Sequence, residues 1–99
     1  MYNRLSHLSY HQLRILRVFL QAGKQVITLK QLQQKTPLKG KPLGAILSSL
    51  SRTRFRGSSL IVPVGKDLHT QTLRWTLNHQ LLDISKAQAK VNQLLKTYA

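Results

Sequence analysis

The stretch Thr28-Leu29-Lys30-Gln31-Leu32-Gln33-Gln34-Lys35-Thr36-Pro37-Leu38-Lys39-Gly40-Lys41-Pro42-Leu43-Gly44-Ala45-Ile46-Leu47-Ser48-Ser49-Leu50 decides the fold. Thr28 followed three residues later by Gln31 has the spacing of a capping box, so a helix opens at Leu29. It must be short, running to about Lys35, because Pro37 disfavours helical backbone before it. Gly40 and Lys41 then lead into Pro42, a residue suited to the first turn of a new helix. Leu43, Ile46, Leu47 and Leu50 follow as one apolar stripe at helical spacing. Two helices joined by a tight turn are the result.

On the N-terminal side, Leu13, Leu16 and Leu20, with Ile15, Phe19 and Ala22 beside them, describe an amphipathic helix. Ser9 is its cap and Gly23 its stop. Arg14, Arg17 and Gln21 fall on its wetter side. Val26-Ile27 is a β-branched pair long enough for one or two sheet bonds.

On the C-terminal side the period changes after Arg56. Gly57-Ser58-Ser59 reads as a turn, Leu60-Ile61-Val62-Pro63-Val64 as a strand, and Gly65-Lys66-Asp67 as a second turn. Thr72 to Leu77 alternates polar with apolar, the pattern of a half-buried strand. Pro63 cannot donate to a ladder, so its strand needs an edge or a bend. Asp83 caps a last helix, about Ile84 to Tyr98, with Ile84, Ala87, Val91, Leu94 or Leu95, and Tyr98 on one side.

Helix, short strand, helix, tight turn, helix and hairpin form the order of a winged helix-turn-helix domain, which this chain resembles over roughly residues 9–77. Leu32 sits where that superfamily keeps an apolar residue in its second helix, and Leu38 where an apolar turn residue is usual. Leu43, Leu47 and Leu50 match the buried positions of its recognition helix. Leu60-Ile61 looks like the entry to the first wing strand, and Arg74-Trp75-Thr76-Leu77 like the exit strand. Gln33 departs from the Ala usual in the family and Pro37 from the usual Gly. The segment Arg52 to Ser59 is longer and more basic than its counterpart. The fold expected is mainly α with a small β-hairpin, a winged helix-turn-helix with three-helix core, wing and extra C-terminal helix. Residues 1–99 form one domain, with the core over 9–80 and the last helix over 83–99.

Charge narrows the function. Sixteen residues are Lys or Arg and two, Asp67 and Asp83, are acidic, for a net charge of +14. Like charges repel in the compact state, and globular surfaces ordinarily mix both signs. A polyanion is the simplest partner, and nucleic acid the commonest. The chain is 41% hydrophobic, against intrinsic disorder. It has no Cys, which excludes disulfides and Cys-based zinc sites and fits a reducing interior. No apolar run approaches a membrane span and the first residues lack a secretory signal, so a cytoplasmic, nucleoid-associated protein without a membrane partner is expected.

If the stripe of the third helix (41–53) faces inward, Lys41, Gly44, Ala45, Ser48 and Arg52 face outward, with Ser49 at the edge. Lys and Arg reach phosphates or guanine edges, and serine donates to either. Small residues let backbone approach a groove; the alternative is that another helix packs on them. The resemblance implies that this helix enters the major groove of duplex DNA. It also implies that Arg52, Arg54 and Arg56, with Lys66, His69 and Arg74 on the wing, lie along backbone or minor groove. A solvated basic loop is the alternative. Lys30, Lys35 and Lys39 surround the turn and contact phosphates or steer. Trp75 alternates with Arg74 and Thr76 and is read as core.

No enzyme, cofactor or metal site is expected. His7 and His11 share a helix spacing but have no third ligand. Gly40-Lys41-Pro42 lacks the Ser or Thr and the earlier Gly of a phosphate loop. Two isolated aspartates make no acid–base pair. The function expected is a DNA-binding protein, either a small transcriptional regulator or an architectural protein. RNA binding, as in a ribosome-associated or antitermination protein, and a protein-interaction module are the alternatives. The last helix either pairs with a two-fold mate or folds back on the first helix of its own chain, and a homodimer through 84–98 is the expectation taken.

Overall fold

The structure is a computed structural model that describes residues 3–23, 25–36, 41–55, 57–66, 68–69, 73–78 and 83–98. It is mainly helical, with a small three-stranded antiparallel sheet. The four helices are α1 (Tyr10–Ala22), α2 (Leu29–Lys35), α3 (Lys41–Arg52) and α4 (Ile84–Lys96). The strands are β1 (Ile27–Thr28), β2 (Arg54–Phe55), β3 (Ser58–Ser59), β4 (Ile61–Lys66) and β5 (Leu73–Leu77).

Local chemistry accounts for the helix ends. Ser9 and Gln12 form a full capping box at the start of α1, and Gly23, at φ +67°, sends its N–H back to the Phe19 and Leu20 carbonyls. A side-chain-bearing residue would be strained there, whereas glycine is not. Thr28 and Gln31 repeat the capping box for α2. Asp83 accepts from the Lys86 N–H at the start of α4. Thr36, the one buried polar side chain among the described residues, gives its hydroxyl proton to the Leu32 carbonyl at 2.7 Å. That bond removes the desolvation cost that an unpaired hydroxyl would carry.

The sheet is larger than a hairpin. Its strand order is β1-β5-β4, so β1 adds a third strand beside β5, with Ile27 opposite Trp75 and Thr28 opposite Arg74. The β-branched pair that enters the sheet is thus Ile27–Thr28, one residue later than Val26-Ile27, and Val26 is exposed. β4 is an edge strand, where Pro63 breaks no ladder bond. It also bends: Pro63 pairs with Trp75 but Lys66 with Leu73, so one extra residue sits on β4 around Gly65, at φ +87°. Gly57-Ser58-Ser59 is not only a turn, because Ser58 and Ser59 pair with Phe55 and Arg54 as a second, two-stranded sheet. A 3-10 helix over Asn3–His7, absent from the sequence reading, tucks Leu5 and Leu8 into the core.

One core runs through the molecule. Phe19, Leu13 and Leu16 of α1 meet Leu32 of α2, Leu43, Leu47 and Leu50 of α3, and Ile61, Trp75 and Leu77 of the sheet. α4 lies on α1 and buries Ala87 and Val91, with Ile84, Leu94 and Leu95 half-buried around them. Ala87 and Val91 of the stripe expected to seek a two-fold mate thus pack within their own chain, while Tyr98 stays exposed. No helix among the described residues is long and apolar enough to cross a membrane.

Candidate nucleic-acid interface

The inward stripe of α3 fixes what its other side shows. Leu43, Leu47 and Leu50 are buried and Ile46 is half-buried, while Lys41, Gly44, Ala45, Ser48 and Arg52 are all exposed. At about 100° per residue these five occupy one arc of roughly 100°. Lys41 and Arg52 stand at its two ends, about 17 Å apart along the axis. Between them the surface is low, with the Ser48 hydroxyl its one polar side-chain group.

The small residues of this arc do not accommodate a neighbouring helix. A Cβ added at Gly44 meets nothing within 4 Å, and Ala45 and Ser48 are open to solvent. The Ser48 hydroxyl makes no hydrogen bond to a described residue. Asp83, the single carboxylate side chain among the described residues, caps α4.

Ser49 belongs to a different contact. Its hydroxyl oxygen accepts from Gln12 Nε2 at 2.8 Å and its proton goes to the Ile46 carbonyl at 2.8 Å. Ser49 therefore faces α1 and not the exposed arc. The capping-box spacing of Ser9 and Gln12 identifies Gln12 as a helix-start residue. Nothing in the sequence says that its amide also reaches α3.

The flanking residues divide. Lys30 is exposed on the first turn of α2. Lys66 is exposed at the end of β4, and His69 is exposed in the turn between β4 and β5. Arg54 is placed by its backbone on β2, opposite Ser59, directly after the exposed end of α3. Lys39 and Arg56 lie outside the described residues. Arg74 is half-buried and turned along the sheet: its Nη2 donates to the Val64 carbonyl at 3.2 Å, and its Nε is buried without a hydrogen-bond partner. It fastens the bend of β4 more than it presents a charge outward. Trp75 is buried opposite Ile27 and Pro63. Among the described residues no group of three His, Cys, Asp or Glu side chains is arranged to hold a metal.

Comparison with family models, with curated proteins and with solved structures finds no match to this chain.

Proposed function

We infer that the chain binds nucleic acid, and duplex DNA in particular, with the exposed arc of α3 laid in the major groove. The observation that carries this reading is the arc itself. A helix interior normally gains about 1 kcal/mol from Ala in place of Gly. Gly44 nevertheless sits at the fourth position of α3, exposed, where an added Cβ meets nothing within 4 Å. Close approach of the backbone to another surface is the use that remains. With Lys41 and Arg52 at the ends and Ser48 between, that surface is one of phosphates and base edges.

The winged helix-turn-helix reading agrees with the order α1, β1, α2, α3, β4, β5. Within it, α2 crosses the backbone with Lys30, and the β4–β5 turn with Lys66 and His69 lies along the duplex. The net charge of +14 exceeds what base readout needs. It favours a large sequence-independent term, as in an architectural protein or a weakly specific regulator. One domain carries the whole interface, and a homodimer, if it forms, uses a surface other than the α1-facing stripe of α4.

The test is competition between a random duplex pool and structured RNA at matched salt. Duplex should win, and enrichment of a motif separates a regulator from an architectural protein. Preference for structured RNA would replace this reading by RNA binding. Indifference to salt with either polymer would point to a protein-interaction module.

A further inference from the structure

A second cluster of cations lies on another face. Tyr10, Arg14 and Arg17 of α1 and Leu95 and Tyr98 at the end of α4 line a cavity of about 260 Å³. Gln12, which points to α3, and Arg14 are about 200° apart around α1, so this cavity turns away from the arc of Lys41 and Arg52. Arg14 is held in place: its Nη1 donates to the Tyr10 hydroxyl at 2.8 Å, and its guanidinium carbon lies 5.6 Å from the Tyr10 ring centre. The Tyr98 ring packs on Tyr10 at 5.3 Å between centres and keeps 54% of its surface exposed. Arg17, half-buried one turn further on, makes no hydrogen bond to a described residue.

Two guanidinium groups three residues apart on a helix repel each other. Here they are partly withdrawn from water, with no carboxylate among the described residues beside them. An anion that both can fork onto relieves this, and two positive charges suit a phosphate better than a lone carboxylate. The open face of Tyr98 beside them offers a stacking platform for a planar ring. The cavity is a little smaller than the roughly 300 Å³ at the lower end of small-molecule sites. It is a half-open depression of about the size of one nucleotide unit.

We propose that the α1–α4 seam is a nucleotide-binding site, with the phosphate on Arg14 and Arg17 and the base stacked on Tyr98. The nucleotide is either free or an unpaired unit of a strand; the recognising chemistry is the same. This site does not depend on the role given to α3.

The experiment titrates adenosine monophosphate, adenosine and ribose 5-phosphate into the full chain, followed by backbone amide shifts. Adenosine monophosphate should bind more tightly than either fragment, with shifts gathered at the α1–α4 seam. Arg17→Gln should weaken it about tenfold or more, the loss of a charge-assisted contact, while Lys86→Gln, the same charge change elsewhere on α4, should not. Tyr98→Leu should weaken adenosine monophosphate far more than ribose 5-phosphate. Arg52→Ala should leave this binding unchanged whatever it does to duplex binding, so the two sites fail separately. An unpaired oligo(dA) that displaces the mononucleotide identifies a strand as the source, and one that does not identifies the free nucleotide. The proposal is overturned by absence of adenosine monophosphate binding. Equal losses in Arg17→Gln and Lys86→Gln, or no change in base preference on Tyr98→Leu, overturn it as well.

Discussion

Gln12 joins the start of α1 to the middle of α3 through a single amide: its Oε1 accepts the Ser9 N–H at 2.8 Å while its Nε2 donates to the Ser49 hydroxyl oxygen at 2.8 Å. The cap of one helix is thereby the strut of the next. With Ser49 held against α1, the roll of α3 is set, so Leu47 points inward and Ser48 outward. The orientation of the candidate reading face is therefore fixed by a polar contact as well as by the apolar stripe.

Ser49→Ala and Ser48→Ala should have opposite signatures. Removing the Ser49 hydroxyl leaves Gln12 Nε2 without its acceptor and should cost about 0.5–1.5 kcal/mol in denaturant unfolding. Duplex affinity should be unchanged. Ser48→Ala should leave stability alone and weaken the duplex complex. If Ser49→Ala weakens binding as much as Ser48→Ala does, at unaltered stability, α3 presents a different face.

At Gly44, stability and binding should part company. Gly44→Ala removes backbone freedom from the unfolded chain in a helix position with open space, and should stabilise by roughly 1 kcal/mol. Gly44→Gln recovers much of the same helix propensity but raises a long side chain between Lys41, Ser48 and Arg52. It should lower duplex affinity by an order of magnitude or so, comparable to losing one good contact of about 1–3 kcal/mol. Tight duplex binding by Gly44→Gln would show that no surface closes on this arc.

Helix boundaries were legible because their chemistry is local. Ser9, Thr28 and Asp83 each sit a fixed step from the group they cap, and Gly23 is the residue that a left-handed stop requires. Pairings between distant residues were less legible. Ile27 meets Trp75 across about half of the chain, so a two-residue strand carries no mark of its partner. Leu5 and Leu8 are two apolar residues in a polar segment, and only the finished core explains their burial. The amphipathic stripe of α4 says that it must be covered; whether by α1 or by a second chain depends on the length and path of the connection. In the candidate site, the arc from Lys41 to Arg52 follows from helical geometry once the stripe faces inward. The separate fates of Ser49 and Arg74 do not, since a hydroxyl or guanidinium at the edge of a face reads the same whether it serves solvent or a neighbouring element.

α4 should behave as part of the fold. Val91 is fully buried against the core, and Val91→Ala should destabilise by about 2 kcal/mol from lost methyl burial and the space left behind. A truncation ending at Gln80 exposes the face of α1 that α4 covers and should lose cooperative unfolding. The full chain should sediment as a monomer at micromolar concentration and moderate salt. A stable, well-folded truncation beside a dimeric full-length protein would restore pairing through this helix.

The two ends of the arc supply the last prediction. Lys41→Ala and Arg52→Ala should each weaken duplex binding and each flatten the dependence of log affinity on log salt by about 0.9, one released counterion apiece. The parent chain, if it meets about six phosphates, should lose on the order of 10³-fold in affinity between 50 and 200 mM salt. Stability should barely move and in opposite senses. Lys41 is a cation in the first turn of α3, where the helix dipole disfavours it, and Arg52 is one in the last turn, where the dipole favours it. Leu47→Ala is the contrast: only 2% exposed, it should cost about 2–5 kcal/mol of folding free energy through lost burial and a cavity. Its effect on binding should then follow the fraction folded. Filter or anisotropy titrations at several salt concentrations, paired with thermal unfolding, separate the two kinds of loss. If both cation variants bind with the parent's affinity and salt slope, α3 is not the helix that meets the duplex.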